Sequence, residues 1–179
     1  MSLLSWQTQV RNLKSQVVNF VFPPVCAHCR QVGHLLCPDC VAALIWLEEP
    51  VCHQCGCPVA KADITCSTCQ KRPLPLTQIR AAFHFDGILP DIIHQLKYRN
   101  VFALAEPLGH LMAQAWSKWQ TPVDLVAPIP LHAQRQKERG YNQSDLLANS
   151  FCNQLDLSKN NRILNRSRRT TSQVGLKCR

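Results

Sequence analysis

Residues 25–40 read VCAHCRQVGHLLCPDC, and residues 51–69 read VCHQCGCPVAKADITCSTC. These two stretches contain four Cys-x-x-Cys pairs, which are separated by 7, 11 and 10 residues. Each pair can form a tight knuckle with two thiolates on one side, and two knuckles complete the tetrahedral shell of four sulfurs that a structural Zn²⁺ ion takes. The eight thiols therefore predict two zinc ions, with these ligands: Cys26, Cys29, Cys37, Cys40, Cys52, Cys55, Cys66 and Cys69.

The spacing leaves the use and the pairing of these thiols open. Disulfides and an iron–sulfur cluster compete with zinc, but repeated Cys-x-x-Cys pairs in a chain without a secretory signal favour zinc. Sequential pairing gives two small ribbons, whereas alternate pairing gives one interleaved module, and we favour sequential pairing. Because eight thiols fill both shells, no nearby histidine is needed as a ligand. The thiols outside the pairs are interpreted as incidental or buried cysteines: Cys57, Cys152 and Cys178.

The overall composition is that of an ordinary globular chain. Hydrophobic residues make up 46% of the 179 residues and charged residues 17%, with six glycines, which excludes a collagen-like, mucin-like or acidic disordered chain. The eleven cysteines are too sparse for a small secreted disulfide scaffold. The longest apolar run, residues 41–47, is much shorter than the roughly 18 residues that a membrane-spanning helix needs. We therefore expect no transmembrane segment and a cytoplasmic location.

The positive charge is concentrated near the C-terminus. The chain has a net charge of +9, and residues 158–179 contain seven cations and no acid. Such a cluster favours an anionic partner, either a nucleic acid or a polyphosphate ligand, although a solvated basic end is the alternative. The same segment has no Phe, Tyr or Trp, so it lacks the stacking platforms that single-strand binders use.

The pattern along the chain predicts three parts. Apolar residues at a spacing of three and four indicate an amphipathic helix within residues 1–25, which ends at Pro23 and Pro24. Residues 26–72 form the cysteine-rich zinc-ribbon module, and a proline-containing linker leads to a second domain at residues 79–179.

Strand and helix patterns alternate in the second domain. The predicted elements are strands at 79–85 and 125–127, helices at 88–98, 102–119 and 142–155, and a polar loop at 131–141. The short stretch at 125–127 is wholly apolar, which indicates burial on both faces, as in a parallel sheet. The sequence therefore predicts an α/β fold.

The polar loop at 131–141 has the residues of an anion site. A buried strand stops at Pro128, and the loop then brings three cations and a glycine to the start of the next helix: Arg135, Lys137, Arg139 and Gly140. Free N–H groups and the dipole of a helix N-terminus favour an anion, so a pyrophosphate would fit there. A solvated loop of alternating charge is the other interpretation.

Several motifs occur in one order along the chain. They are the paired knuckles, Leu96-Lys97-Tyr98, Pro128-Ile129-Pro130-Leu131, Arg139-Gly140-Tyr141-Asn142-Gln143 and Arg168-x-Thr170-x-x-Gln173-x-x-Leu176. This combination resembles the ComF family of competence-associated, phosphoribosyltransferase-like proteins, over roughly residues 20–179.

The resemblance implies a double zinc-ribbon module followed by a type I phosphoribosyltransferase-like parallel sheet with flanking helices. It also implies a role in DNA uptake, natural transformation and the use of external DNA, and binding of 5-phosphoribosyl 1-diphosphate (PRPP) with Mg²⁺. The matching pyrophosphate positions are Arg135, Arg139, Gly140 and Asn142. The matching positions of the mobile loop are Arg168, Thr170 and Gln173.

One part of the family pattern is missing from this sequence. Family members continue past the position of Arg179 into a strand and an acidic loop with Thr-Thr-Gly, which holds the ribose, the 5-phosphate and the Mg²⁺–diphosphate. Residues 158–179 contain no carboxylate. We therefore expect a C-terminally truncated member with an incomplete sheet and no transferase turnover, in which Mg²⁺ with PRPP belongs to a full-length form. The alternatives are a zinc-ribbon factor that binds single-stranded DNA within the DNA-uptake machinery, and a non-functional fragment.

Overall fold

A computed structural model describes residues 23–61, 64–119, 121–168 and residue 170. The chain divides into two compact units, Met1–Ile93 and His94–Arg179. The amphipathic helix predicted to end at Pro23 and Pro24 lies outside the described residues. In the described ranges, no helix combines the length and the apolar character needed to cross a membrane.

The described residues form six α-helices and one 3₁₀ turn. In chain order these are α1 (Pro38–Ala42), α2 (Ser67–Lys71), α3 (Leu89–Tyr98), the 3₁₀ turn Phe102–Leu104, α4 (Ala105–Trp119), α5 (Ala133–Arg139) and α6 (Gln143–Leu155). The helices predicted at 88–98, 102–119 and 142–155 are thus confirmed to within a few residues at their ends.

Strand pairing within the described ranges is limited to isolated β-bridges. Three are antiparallel (Val25 with Val32, Trp46 with Phe83, Val51 with Pro58), and one is parallel (Val126 with Lys159). The segments predicted as strands, 79–85 and 125–127, contribute one bridge each. The predicted parallel sheet is therefore not confirmed. Prolines on both sides of the second segment, Pro122 and Pro128, remove the N–H donors that a longer ladder would use.

In the first unit, the chain between the two cysteine-rich stretches pairs with residues 82–84. The Trp46 and Phe83 rings lie 4.3 Å apart, the Leu47 N–H donates to the carbonyl of Ala82 (3.0 Å), and the His84 N–H donates to the carbonyl of Ile45 (2.9 Å). Residues 82–84 come after the proline-containing linker, yet they pair within the same compact unit as the cysteines.

The core of the second unit lies between α4 and α6. It consists of buried Ala113, Phe151 and Cys152 with partly buried Trp116, Val126, Leu155 and Leu157. Gly109 allows close approach of the two helices, because a Cβ atom there would lie 2.4 Å from the Cβ atom of Ser150. The Ser150 hydroxyl donates a 2.8 Å hydrogen bond to the carbonyl of Glu106 and joins the same two helices.

The predicted polar loop at 131–141 is wrong, because most of it forms helix α5. The helix consists of strong helix formers, namely alanine, glutamine, lysine, glutamate and arginine. It has no periodic apolar residues, so a search for a hydrophobic pattern does not detect it. The His132 side chain accepts a 3.3 Å hydrogen bond from the backbone N–H of Gln134 and caps the helix N-terminus. Gly140, with φ 79°, ends the helix in the left-handed conformation that glycine adopts without strain.

Candidate metal centres and anion-binding turn

The first cysteine module is a knuckle followed by a short helix. The Arg30 N–H donates to the carbonyl of Cys26 (3.1 Å), and the Cys26 N–H donates to the carbonyl of Gln31 (2.8 Å). These bonds close the turn that carries Cys26 and Cys29. Cys37 then lies at the N-cap of α1, and Cys40 lies inside this helix.

The second module repeats this arrangement. The Gly56 N–H donates to the carbonyl of Cys52 (3.0 Å), and the Cys52 N–H donates to the carbonyl of Cys57 (2.7 Å). Cys66 is the N-cap of α2, and Cys69 lies inside the helix. Gly56 has φ 70°, and the equivalent residue of the first module, Arg30, has φ 68°.

The thiols converge into two clusters. In each, four sulfur atoms lie within 4.8 Å of one another: Cys26, Cys29, Cys37 and Cys40 in the first, and Cys52, Cys55, Cys57 and Cys66 in the second. We call these the first and second centre. No thiol of one module joins the cluster of the other, which agrees with sequential and not alternate pairing.

The geometry of both centres fits zinc. Four sulfurs at about 2.3 Å from a tetrahedral Zn²⁺ ion are separated from one another by about 3.8 Å. The Cys55 and Cys66 sulfurs lie 3.7 Å apart, and the Cys29 and Cys37 sulfurs lie 3.4 Å apart. An all-thiolate donor set is typical of structural zinc, and no histidine nitrogen or carboxylate belongs to either cluster among the described residues. The two clusters are therefore consistent with two zinc ions.

Backbone amides prepare one thiol of each centre for ionisation. The N–H groups of Cys55 and Cys66 lower the pKa of Cys52 to about 6, against the opposing effect of burial. Burial likewise raises the pKa of Cys26, but backbone N–H donors that include that of Cys37 outweigh it and bring the pKa to about 6. The Cys66 nitrogen lies 3.3 Å from the Cys52 sulfur, and the Cys37 nitrogen lies 3.5 Å from the Cys26 sulfur.

Other thiols, in the first centre and beside the second, have the opposite tendency. Burial, together with the neighbouring thiols, raises the pKa of Cys40 and of Cys69 to about 12. Four thiolates thus cannot share one small volume without a compensating cation. A bound Zn²⁺ ion supplies that charge. Binding of the ion and deprotonation of its thiol ligands are therefore coupled.

Cys57 is the residue that the sequence interpretation missed. The sequence pattern predicts an incidental thiol at this position, whereas its sulfur lies inside the second cluster. The Cys69 thiol interacts with those of Cys52, Cys55 and Cys66, although Cys69 is not one of the four sulfurs that all lie within 4.8 Å of one another. The spacing of Cys55-Gly56-Cys57 was the available signal, because a side chain two residues after a knuckle cysteine can return to the same side of the turn.

The predicted pyrophosphate residues lie around the turn between α5 and α6. Arg135 and Arg139 are on α5, and Gly140 ends it. Asn142 caps α6, since its side-chain oxygen accepts from the Ser144 N–H (3.1 Å) while its amide donates to the carbonyl of Ile129 (3.0 Å). Arg139, Gly140 and Asn142 thus lie next to the N-terminus of a 13-residue helix, where free N–H groups favour an anion, whereas Arg135 lies one turn earlier on α5.

At this turn Arg139 lies against one aromatic ring, and Tyr141, two residues later, lies against another. The Arg139 guanidinium lies 5.2 Å from the centre of the Tyr98 ring and donates a 2.5 Å hydrogen bond to the Gln143 side chain. The Tyr141 hydroxyl donates to the carbonyl of Leu96, and its ring meets that of Phe102 edge-on at 6.2 Å. Tyr98 and Phe102 are 47% and 60% exposed. We call Tyr98, Phe102, Arg139 and Tyr141 the aromatic–arginine cluster.

The predicted mobile-loop residues are only partly within the described part of the chain. Arg168 and Thr170 are exposed, and the Thr170 hydroxyl accepts a 2.6 Å hydrogen bond from the Arg166 guanidinium. Gln173 lies outside the described residues.

Comparison with known proteins matches the cysteine-rich part to a described family and most of the chain to curated relatives. Residues 17–70 match the family described as "Double zinc ribbon domain". The chain is 29% identical over 167 residues to "DNA utilization protein YhgH" of Escherichia coli, which covers 88% of this chain and 73% of that protein.

Two further relatives carry competence names. "Competence protein F" of Haemophilus influenzae is 29% identical over 161 residues, covering 84% of this chain and 69% of that protein. "Competence protein ComFC" of Bacillus subtilis is 26% identical over 120 residues, covering 63% and 50%. No solved structure matches the chain significantly.

Proposed function

We propose that the chain is a ComF-family protein that acts in the uptake or use of external DNA and binds single-stranded DNA through its second unit. The observation that carries this proposal is the aromatic–arginine cluster. Single-strand binders combine aromatic faces, on which bases stack, with cations that track the phosphates. Tyr98 and Phe102 offer exposed rings, and Arg139 and Arg135 offer the cations.

The distribution of charge also supports DNA binding by the second unit. Residues 94–179 contain thirteen cations and five acids, a net charge of +8, whereas residues 1–93 have a net charge of +1. Each zinc ion with four thiolates adds a charge of −2, so the zinc-loaded first unit is anionic. An anionic unit repels the phosphate backbone, which favours a structural role for zinc.

The proposal is tested by binding of a labelled single-stranded oligonucleotide at several salt concentrations. The affinity should fall steeply with salt, because each neutralised phosphate releases counterions. Stacking on an aromatic side chain contributes about 1–3 kcal/mol per base. We therefore expect Phe102→Ala to weaken binding by roughly fivefold or more.

Phe85 provides a matched control for this variant. It is 71% exposed and belongs to the first unit, so Phe85→Ala removes an exposed ring without touching the aromatic–arginine cluster. Equal losses in the two variants, or binding that does not respond to salt, would count against the proposal.

A sugar diphosphate is the second candidate ligand, favoured by the arrangement at the N-terminus of α6. We propose that Arg135, Arg139, Gly140 and Asn142 surround the pyrophosphate group of PRPP, in a parallel α/β unit of phosphoribosyltransferase type to which Arg168, Thr170 and Gln173 contribute the mobile loop. The helix N-terminus and two guanidinium groups supply complementary charge. Mg²⁺ would enter with the diphosphate.

Isothermal titration with PRPP and Mg²⁺ tests this second candidate. Arg135→Ala should abolish saturable binding, whereas Lys118→Ala, on α4, should leave it unchanged. We expect no pyrophosphate release above a heat-killed control with any nucleobase, because residues 158–179 contain no carboxylate to hold the metal and the ribose. Turnover above that control would overturn the expectation of catalytic incompetence.

A further inference from the structure

The second centre contains more thiols than a zinc ion can bind. Cys57 lies inside its cluster, and Cys69 interacts with three of the same thiols, so five sulfurs converge there. A structural Zn²⁺ ion takes four. In the first centre, by contrast, four thiols form the complete cluster among the described residues.

The two modules show where the fifth thiol comes from. In the first module, the residue that accepts the hydrogen bond from the first knuckle cysteine is Gln31; in the second it is Cys57. The two hydrogen bonds have nearly the same length, 2.8 Å and 2.7 Å, so these residues occupy equivalent positions. One position of a repeated framework thus carries a thiol in only one of its two copies.

The position of the Cys57 sulfur is that of a ligand. It lies within 4.8 Å of the sulfurs of Cys52, Cys55 and Cys66, which come from both ends of the module. Cys57 is partly buried, and Cys69, inside α2, is buried with 4% exposure. Both thiols can therefore reach an ion that the other three hold.

We propose that Cys57 is a zinc ligand of the second centre. Cys52, Cys55 and Cys66 hold the ion permanently, and the fourth position is taken by either Cys57 or Cys69. The displaced thiol stays next to the ion, ready to replace its competitor. This inference rests on the zinc centres alone and not on DNA binding, so the two can fail separately.

Zinc content of four variants of the full chain tests the inference. After dialysis in a zinc buffer, Cys57→Ser and Cys69→Ser should each keep two zinc ions per chain, and the double variant should keep one. Cys40→Ser is the matched control in the first centre, where the described part of the chain offers no fifth thiol, and should keep one. A single ion in Cys69→Ser, or two ions in the double variant, would overturn the inference.

A kinetic measurement covers the case in which Cys69→Ser does not fold. A spare thiolate beside the ion speeds ligand exchange, because it can enter as another ligand leaves. In the wild-type chain, one zinc ion should therefore transfer to a chromophoric chelator several-fold faster than the other. Cys57→Ser, which removes only a partly buried sulfur, should slow this fast phase to the rate of the first centre. An unchanged fast phase in Cys57→Ser would overturn the inference.

Discussion

Replacing Gly56 by alanine should weaken zinc binding at the second centre and leave the first centre unchanged. Gly56 has φ 70°, and an added Cβ atom would lie 2.6 Å from the carbonyl oxygen of Ile79. That oxygen cannot easily move away, because the Ile79 N–H is held by a 2.7 Å hydrogen bond to the carbonyl of Gln54.

The magnitude follows from these two contacts. A left-handed conformation costs a residue with a side chain about 1 kcal/mol. Displacement of the Ile79 backbone weakens its hydrogen bond, which costs about 1 kcal/mol more. Because zinc binding and folding of such a module are coupled, the sum of about 2 kcal/mol appears as a roughly thirty-fold loss of zinc affinity.

The first module supplies the control. Arg30 occupies the equivalent position with φ 68° and already has a side chain, so Arg30→Ala should change zinc affinity no more than about twofold. Titration with a chromophoric chelator measures the affinities, and native mass spectrometry separates the two-, one- and zero-zinc species. Alkylation followed by peptide mapping then identifies the emptied centre. Equal weakening by Gly56→Ala and Arg30→Ala, or loss of both ions together from Gly56→Ala, would refute the reasoning.

Three further outcomes are expected. Chelation of zinc should expose the backbone of residues 23–71 to hydrogen exchange while α4 and α6 stay protected, since the α4–α6 core contains no proposed zinc ligand; uniform loss of protection would contradict this. Gly109→Ala should lower the free energy of unfolding by about 1–2 kcal/mol in denaturant, because overpacking against Ser150 exceeds the gain in helix propensity; exposed Gln114→Ala serves as the control. Tyr141→Phe should cost about 1 kcal/mol by removing the hydrogen bond to Leu96. Burial raises the pKa of Tyr141, so this difference should be constant below pH 10 and shrink above it, and a difference that grows with pH would be contrary to expectation.

The metal centres could be predicted from sequence because their signal is local. A Cys-x-x-Cys pair brings its own two ligands together, whatever the rest of the chain does. Cys57 was missed because its role depends on the path of the chain after the knuckle, where the Cys52 N–H and the carbonyl of Cys57 close a turn. Two Cys-x-x-Cys pairs already supply the four sulfurs that one zinc ion binds. Counting these pairs therefore gives no reason to look for a fifth thiol.

The elements that depend on partners were harder to predict. The apolar pattern at 79–85 shows that the segment is half-buried, but not that its partner is the chain around Trp46. Helix α5 was hidden for another reason, because it has no apolar stripe and forms through the propensities of its residues and the caps at His132 and Gly140. Helices α4 and α6 were found because each carries its own apolar face, and the two faces meet in the second unit.

The pairing of Trp46 with Phe83 gives the second module the topology of an insertion. Two backbone hydrogen bonds hold the chain together where it leaves toward Glu48 and where it returns at Ala82. The segment between these points forms a loop whose two ends lie side by side. The two hydrogen bonds at its base offset the entropy that closing such a loop costs. Segments of this kind can be exchanged for others without rerouting the host chain. The second module is accordingly an exchangeable insertion. A short turn or a different metal-binding loop could replace it without changing the structure around the first centre.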